Sequence, residues 1–551
     1  MPQDLPVILH NDKRGLLTVE EGRLDVLQLS RDGRPPKRLL SCSTRNVLRA
    51  RLAPMSPGQQ QRLDLHVLIA KGSALRLSKM HILVEPASAS EAQDWVDLVM
   101  ATAYPGVKPF RRVLLLVNPV GGKGKAKAIV RDDVLPVLEA AGCVVEVRET
   151  THRLHAQEIV QSIDLVYDVI ATASGDGLIF EVWNGLAARP DAKKALKTPI
   201  GPIPTGSANS LCINLFGPKD TFNIQLACLN VIKGQHMPKD LCSVLLLPSK
   251  QRVWSFLSLA AGLMVDLDIG TEHLRWMGDT RFTLGFIKGV GSSKNHRMSI
   301  KMRVVAEDKV EMARTAREWA KRVLAEPPVG GGVDPLVNGV KKIAIREDDA
   351  RATTSTPAVP SVDKPVVNGA NGSKSIDDEG PLPESQLLEP DETWTVIESG
   401  PKPATAAQVK KGTVSTTGQS GGWIDGQGIL YAYAGNMPWI ARDLMQWPVS
   451  VQGSGAFDVV IQSIVPRARI LAAITGAAKG EQYWMECQHY YKVNALVVEN
   501  LDKENQKVWS LDGEAFPYDS YHVELHTGLA TVLSLDGHFY IPEFMKRHDN
   551  K

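Results

Sequence analysis

Between residues 110 and 217 short apolar runs alternate with longer helical patterns, and three of the runs end in a loop of small residues. RRVLLLVNP reads as a buried strand and the stretch from Lys125 to Ala141 as mainly helix. CVVEVRET is a strand and HAQEIVQSI a helix. DVIATASGDG is a strand running into a loop, with a helix through EVWNGLAA, and IGPIPTGSANSL is strand, loop and helix start. Repeated β-loop-α units imply a parallel sheet with helices on both faces. Sheets of this kind bind ligands beyond the carboxyl ends of their strands, and all three loops fall there.

The loops differ in chemistry. Asn118-Pro119-Val120-Gly121-Gly122-Lys123-Gly124-Lys125 combines glycines, which let backbone N–H groups approach phosphate oxygens, with two lysines and a helix start that favours anions. It is not the GxxxxGK[ST] loop, and glycine serves tight β-α turns equally well. In Ser174-Gly175-Asp176-Gly177 the flanking glycines leave space around the Asp176 carboxylate, which suits a group that must reach a hydroxyl; an inert Asp-Gly turn is the plain alternative. Glu181, Asn184 and Gly185 follow on the next helix, where Glu181 either meets a polar ligand or faces solvent. Gly206-Ser207-Ala208-Asn209-Ser210-Leu211 holds a nucleotide or simply caps a helix.

The rest of the 551-residue chain is organised around this unit. That length favours two to four domains. Residues 1–105 show strand patterns at Leu63–Ala70 and Leu75–Val84, then a helix opened by Ser88 and Glu91 as a capping box, with Ala92, Trp95 and Val99 on one face. Several strands closed by a Trp-bearing helix resemble a pleckstrin-homology-like (PH-like) barrel. Residues 218–304 and 420–546 are strand-rich and are expected to form one β-sandwich. Residues 326–420, dominated by Pro, Gly, Ser and Thr, are expected to be a disordered insertion, because they bury too little apolar surface to offset ordering. A net charge of +2 gives no global field for nucleic acid, so none is expected as a partner. Six scattered cysteines without zinc spacing fit a reducing cytoplasm. No signal peptide and no apolar run long enough for a bilayer is visible.

Taken in order and spacing, the three loops resemble the catalytic domain shared by diacylglycerol, sphingosine and ceramide kinases. The resemblance spans about residues 110–305 and resumes from about 425. Ser258-Leu259-Ala260-Ala261-Gly262, then Asp266-Leu267-Asp268, then Arg275-Trp276-Met277-Gly278-Asp279-Thr280-Arg281-Phe282-Thr283-Leu284-Gly285 resemble the sphingosine kinase version, fungal-like in character. Leu511-Asp512-Gly513-Glu514 matches the DGE motif of that family. The fold implied is α/β plus all-β: a parallel-sheet nucleotide-binding domain followed by a β-sandwich lipid-binding domain, with the PH-like module in front.

The activity implied is ATP-dependent phosphorylation of the primary hydroxyl of a sphingoid long-chain base, with a ceramide or diacylglycerol kinase as the alternative. The resemblance makes Asp176 the general base and assigns substrate binding to Ser174, Asp176 and Asp268, the last gripping the sphingoid head group. A protonated amine entering a partly dry pocket needs a carboxylate, which neutral lipids would leave unpaired. ATP is assigned to Asn118, Gly121, Gly122, Lys123, Thr150, Gly177, Glu181, Gly206, Ser207, Ala208, Arg275, Arg281, Asp512, Gly513 and Glu514. Mg2+ is expected on ATP oxygens and waters with help from Asp512. An apolar tunnel has Phe256, Leu263, Met264, Leu267, Leu274 and Phe282 as lining candidates, at least half of which are expected to be ordinary core. Membrane contact is expected to be peripheral. Two departures stand out: Ala208 replaces a glycine of the GSGN signature, and Ala261 an aromatic residue.

Overall fold

The computed structural model describes residues 4–9, 12–30, 34–54, 60–72, 74–122, 124–269, 295–325, 380–384, 387–399, 428–502, 508–517 and 519–546. Lys123, Leu274, Arg275, Arg281 and Phe282 lie outside them, as do residues 326–379 and 400–427. The side chains of residues 266–268 are likewise not described.

The expected parallel sheet is present. Val144–Glu149, Arg112–Val117, Val169–Ser174 and Ile200–Pro204 lie side by side in that order, all parallel. Period-two alternation sends their side chains to opposite faces. Leu114, Leu116, Ile170 and Ile200 join one core with the His155–Ser162 and Asp176–Ala187 helices. Val113, Leu115, Val117, Ala171 and Ile203 join the other. The helical stretch from Lys125 is broken: Ala126–Ile129 passes through a π-turn at Val130–Val134 before Leu135–Ala140. Pro136 explains the break, since it cannot donate to the preceding turn.

The second half is not a separate sheet. The long Ser520–Ser534 strand pairs in parallel with the last strand of the parallel sheet at Ile200↔Val532 and antiparallel with Gln235–Leu247 and Gln488–Asn500. One 15-stranded mixed sheet results among the described residues. Periodicity shows strands but not their partners, which is why the sequence suggests a separate β-sandwich. Ile224–Lys233, assigned by sequence to the strand-rich part, is a helix whose apolar face packs on the parallel sheet. Lys309–Ala325 is a 17-residue helix that the sequence reading left unassigned.

The N-terminal region forms a seven-stranded antiparallel sheet. Its spatial order is 37–43, 23–28, 13–20, 4–9, 74–84, 62–71, 47–52, with the Ala92–Ala103 helix against it. No pairing among the described residues joins its two edge strands into a barrel. Ala92, Trp95 and Val99 are buried as expected. The capping box does not form: Glu91 makes no side-chain cap bond, and only its N–H reaches the Ser88 carbonyl. This sheet shares a core with the parallel strands. Lys233 is fully buried at the junction and donates to the carbonyls of Thr44, Val47 and Ala103, with the Tyr104 ring 4.3 Å away. Burial pushes its ammonium well below the usual lysine range.

The expectation of disorder across 326–420 does not hold for residues 380–384 and 387–399. Thr395–Glu398 is a strand paired with Met298–Ala306. Trp394 is buried against Ala495 and Val497, and Arg252 donates to the Pro383 carbonyl. A single buried tryptophan and a sheet edge supply the anchoring that the polar composition conceals.

Candidate active site

The three glycine loops interlock, and the reason is backbone proximity. A Cβ on Gly206 would sit 2.2 Å from the Gly175 nitrogen; one on Gly175 would sit 2.4 Å from the Ala208 oxygen; one on Gly122 would sit 2.5 Å from the Thr205 oxygen. Only glycine lets three strand-to-helix turns close on one another in this way. Gly175 therefore makes room for a neighbouring loop, not for the Asp176 carboxylate as the sequence reading held. Gly177 comes nearer that reading: a Cβ there would meet only Glu514, at 3.5 Å. Gly122 and Gly124 have positive φ, 59° and 68°. Ala208 does not, so its methyl adds no backbone strain.

Asp176 lies at this junction. It opens the Asp176–Ala187 helix and is buried, with Oδ2 accepting from the Ser210 N–H at 2.7 Å and Oδ1 from the Leu211 N–H at 3.1 Å. The carboxylate thus caps the Ser210–Asp220 helix, whose positive end favours its charge. Burial pushes its acid form up, and the two amides only partly oppose this. A carboxylate so placed is a stronger base than a solvated one. Ser174, also buried, ends the preceding strand, and its carbonyl receives the Thr205 N–H. Ser207 is half-exposed at the loop.

Other predicted residues gather around it. Asn118 Oδ1 accepts from Val120 N–H and shapes the first loop. Thr150 closes on the Val117 carbonyl. Glu181 accepts from the N–H groups of Leu154 and Ala156 at 3.0 Å each, holding a turn in which Leu154 has φ of 67°. Burial pushes the Glu181 carboxyl up and the two amides pull it down, while Glu514 adds repulsion and Arg153 relieves it. Arg153, which the sequence reading passed over, donates to Glu514 at 2.6 Å. This pair brings the DGE turn to the loops of the parallel sheet across 361 residues of sequence. Gly513 has φ of 84° and open space around it.

Asp512 departs from expectation. Its carboxylate is buried and turned onto the 255–258 turn. Oδ1 accepts from Ser255 Oγ and the N–H groups of Leu257 and Ser258, and Oδ2 from Phe256 N–H. Burial still pushes its acid form up to about 6. A carboxylate engaged by four donors of its own chain does not suit a metal ligand, and no group of three metal-ligating side chains occurs among the described residues. The donor set does not fit Mg2+ held by the protein. The glycine cradle does suit a nucleotide's phosphates. Phe256, Leu263 and Met264 are core residues. The helix Leu263–Asp268 follows the Ser258–Gly262 strand directly, so Asp268 is carried on an element tied to the Asp512 turn. A cavity of about 810 Å³ lies along the Asp176–Ala187 helix between Phe180, Trp254 and Phe516, with Arg153 and Leu154 in its wall.

Residues 112–244 match the diacylglycerol kinase catalytic domain. Sphingoid long chain base kinase 4 of Schizosaccharomyces pombe is 28% identical over 80% of this chain and 81% of its own. Sphingosine kinase 1 of Arabidopsis thaliana is 27% identical over 85% and 84%. Sphingosine kinase 2 of Homo sapiens is 28% identical over 77% and 71%. With a buried carboxylate capped inside three interlocked glycine loops, the chain matches a diacylglycerol kinase catalytic domain at residues 112–244 and is similar to sphingosine kinases along most of its length.

Proposed function

We propose that the protein transfers the γ-phosphoryl group of ATP to the primary hydroxyl of a sphingoid long-chain base. The observation that carries this reading is Asp176: a buried, base-strengthened carboxylate where three phosphate-cradling loops meet. ATP supplies the phosphoryl group and ADP leaves. The chain's part is positioning and proton transfer, as phosphoryl transfer requires. The loops at Asn118–Gly124 and Gly206–Ala208 orient the phosphates, with Lys123, Arg275 and Arg281 as further cations. Glu181, Thr150 and the Glu514–Arg153 pair shape the nucleotide end. Asp176 takes the proton as the acceptor oxygen bonds phosphorus; each of its oxygens keeps a lone pair beyond those facing Ser210 and Leu211.

Asp268 pairs with the ammonium of the base, and Ser174 lies beside the reacting hydroxyl. The antiparallel half takes the lipid chain, and contact with the bilayer is peripheral. The PH-like reading of the N-terminal sheet belongs to the same proposal. No protein ligand is assigned to Mg2+.

Radiolabelled ATP transfer to sphinganine, ceramide and diacylglycerol tests the reading. Sphinganine is the expected acceptor. Asp176→Asn is expected to abolish transfer to every lipid, and Asp268→Asn to weaken sphinganine use selectively. Preference for a neutral lipid overturns the substrate assignment.

A further inference from the structure

Two asparagines, one on each helix that meets at Asp176, make the same three hydrogen bonds. Asn184 lies on the helix that Asp176 opens. Its Nδ2 donates to the Trp254 carbonyl at 2.9 Å, and its Oδ1 accepts from the Trp254 N–H at 2.9 Å. Nδ2 also reaches the Phe180 carbonyl, four residues back in its own helix. Asn214 lies on the helix that Asp176 caps. Its Nδ2 donates to the Trp439 carbonyl at 2.8 Å, and its Oδ1 accepts from the Trp439 N–H at 3.0 Å. Nδ2 also reaches the Ser210 carbonyl, again four residues back.

Each side-chain amide closes on one backbone N–H and one backbone C=O, as a sheet rung does. No other side chain of that length offers both a donor and an acceptor: Asp lacks the donor and Leu lacks both. The two tryptophans belong to different elements of the antiparallel half. Trp254 is on the Gln251–Ser255 strand, which runs into the turn held by Asp512 and on to the helix that ends at Asp268. Trp439 follows the Ile429–Gly435 strand, and the next residue, Ile440, receives the Ser210 hydroxyl. One clamp would leave a pivot; two on separate elements fix orientation.

We propose that Asn184 and Asn214 are paired positioning residues that register the acceptor-binding half of the sheet against Asp176. The inference rests on reading that half as the acceptor side. Apolar packing could hold the halves together without fixing their register, because dispersion is not directional whereas hydrogen bonds are. A misplacement of about 1 Å costs transfer about 10²-fold, so register and not adhesion is what the clamps supply.

The test uses the full-length protein with Asn184→Leu, Asn214→Leu and the double variant. Steady-state kcat and KM are measured separately for ATP and for sphinganine in detergent micelles, beside thermal unfolding. Each single variant is expected to lower kcat/KM for the lipid at least about tenfold, with KM for ATP within about twofold. The double variant is expected to lose less than the product of the singles, because either loss already frees the register. Asn184→Asp and Asn214→Asp, which keep the acceptor for the tryptophan N–H, are expected to be intermediate; they carry the test if the Leu variants do not fold. A fall in unfolding temperature with both kcat/KM values unchanged overturns the proposal, and so does an equal rise of both KM values. If the wild type prefers a neutral lipid, the substrate reading fails, and the same split measured with that lipid decides the clamps independently.

Discussion

Gly206→Ala perturbs the junction by a single methyl. The added Cβ lands 2.2 Å from the Gly175 nitrogen and 2.3 Å from its Cα. Non-bonded carbon contacts are comfortable near about 3.5 Å, so the 174–177 and 205–209 loops must part by about 1 Å. Both partners are backbone, and no rotamer change relieves the overlap. Two costs follow. Overpacking of this kind destabilises by about 1–3 kcal/mol. Moving Asp176 relative to the phosphate loops by about 1 Å lowers kcat/KM about 10²-fold, or about 3 kcal/mol of transition-state stabilisation. Gly234→Ala separates the two. Its Cβ meets the Asn230 oxygen at 2.5 Å at a helix end distant in sequence from the glycine loops, so it is expected to share the stability loss and spare the kinetics. The assay is sphinganine kinase activity normalised to folded protein by circular dichroism, with unfolding temperatures for both variants. Folded Gly206→Ala with wild-type kcat/KM would refute the claim that interlocked loops set the geometry of transfer.

Other outcomes follow from the same contacts. Glu181→Ala releases the Leu154 and Ala156 amides and is expected to raise the KM for ATP about tenfold with little change in kcat, measured by ATP titration at saturating lipid. Asp512 has a folded-state pKa of about 6 against an ordinary 3.8. Its contribution to stability is present below the unfolded value and is lost as pH rises through about 6. The unfolding temperature of Asp512→Asn minus that of wild type is therefore expected to rise between pH 4 and pH 7, and a flat difference refutes the shift. Removing residues 1–105 is expected to yield insoluble protein, since it strips apolar cover from the core shared with the kinase strands; a soluble, active remainder would show the N-terminal sheet to be an independent module.

Much of the catalytic half was readable because its determinants are local. Strand Arg112–Val117, helix His155–Ser162 and strand Val169–Ser174 lie where hydrophobic periodicity and turn residues put them. Asp176 was legible because a carboxylate between glycines at a strand end is a local signal. What periodicity cannot carry is partnership. It showed strands in the second half but not that Ser520–Ser534 would stitch both halves into one sheet. It placed glycines around Asp176 without showing that Gly206 is glycine on account of Gly175, and Gly175 on account of the Ala208 carbonyl.

Sequence alone determined the order of strands and helices from 110 to 217, the three loops at the strand ends and the carboxylate among them, because each depends on neighbours a few residues away. Tertiary structure alone decided that Asp512 would hold a turn rather than a metal and that Glu514 would meet Arg153. It likewise decided that Asn184 and Asn214 would grip tryptophan backbones 70 and 225 residues distant. A side chain's chemistry is written in its residue type, but whether its lone pairs are free or already occupied depends on which distant backbone the fold brings within hydrogen-bond reach.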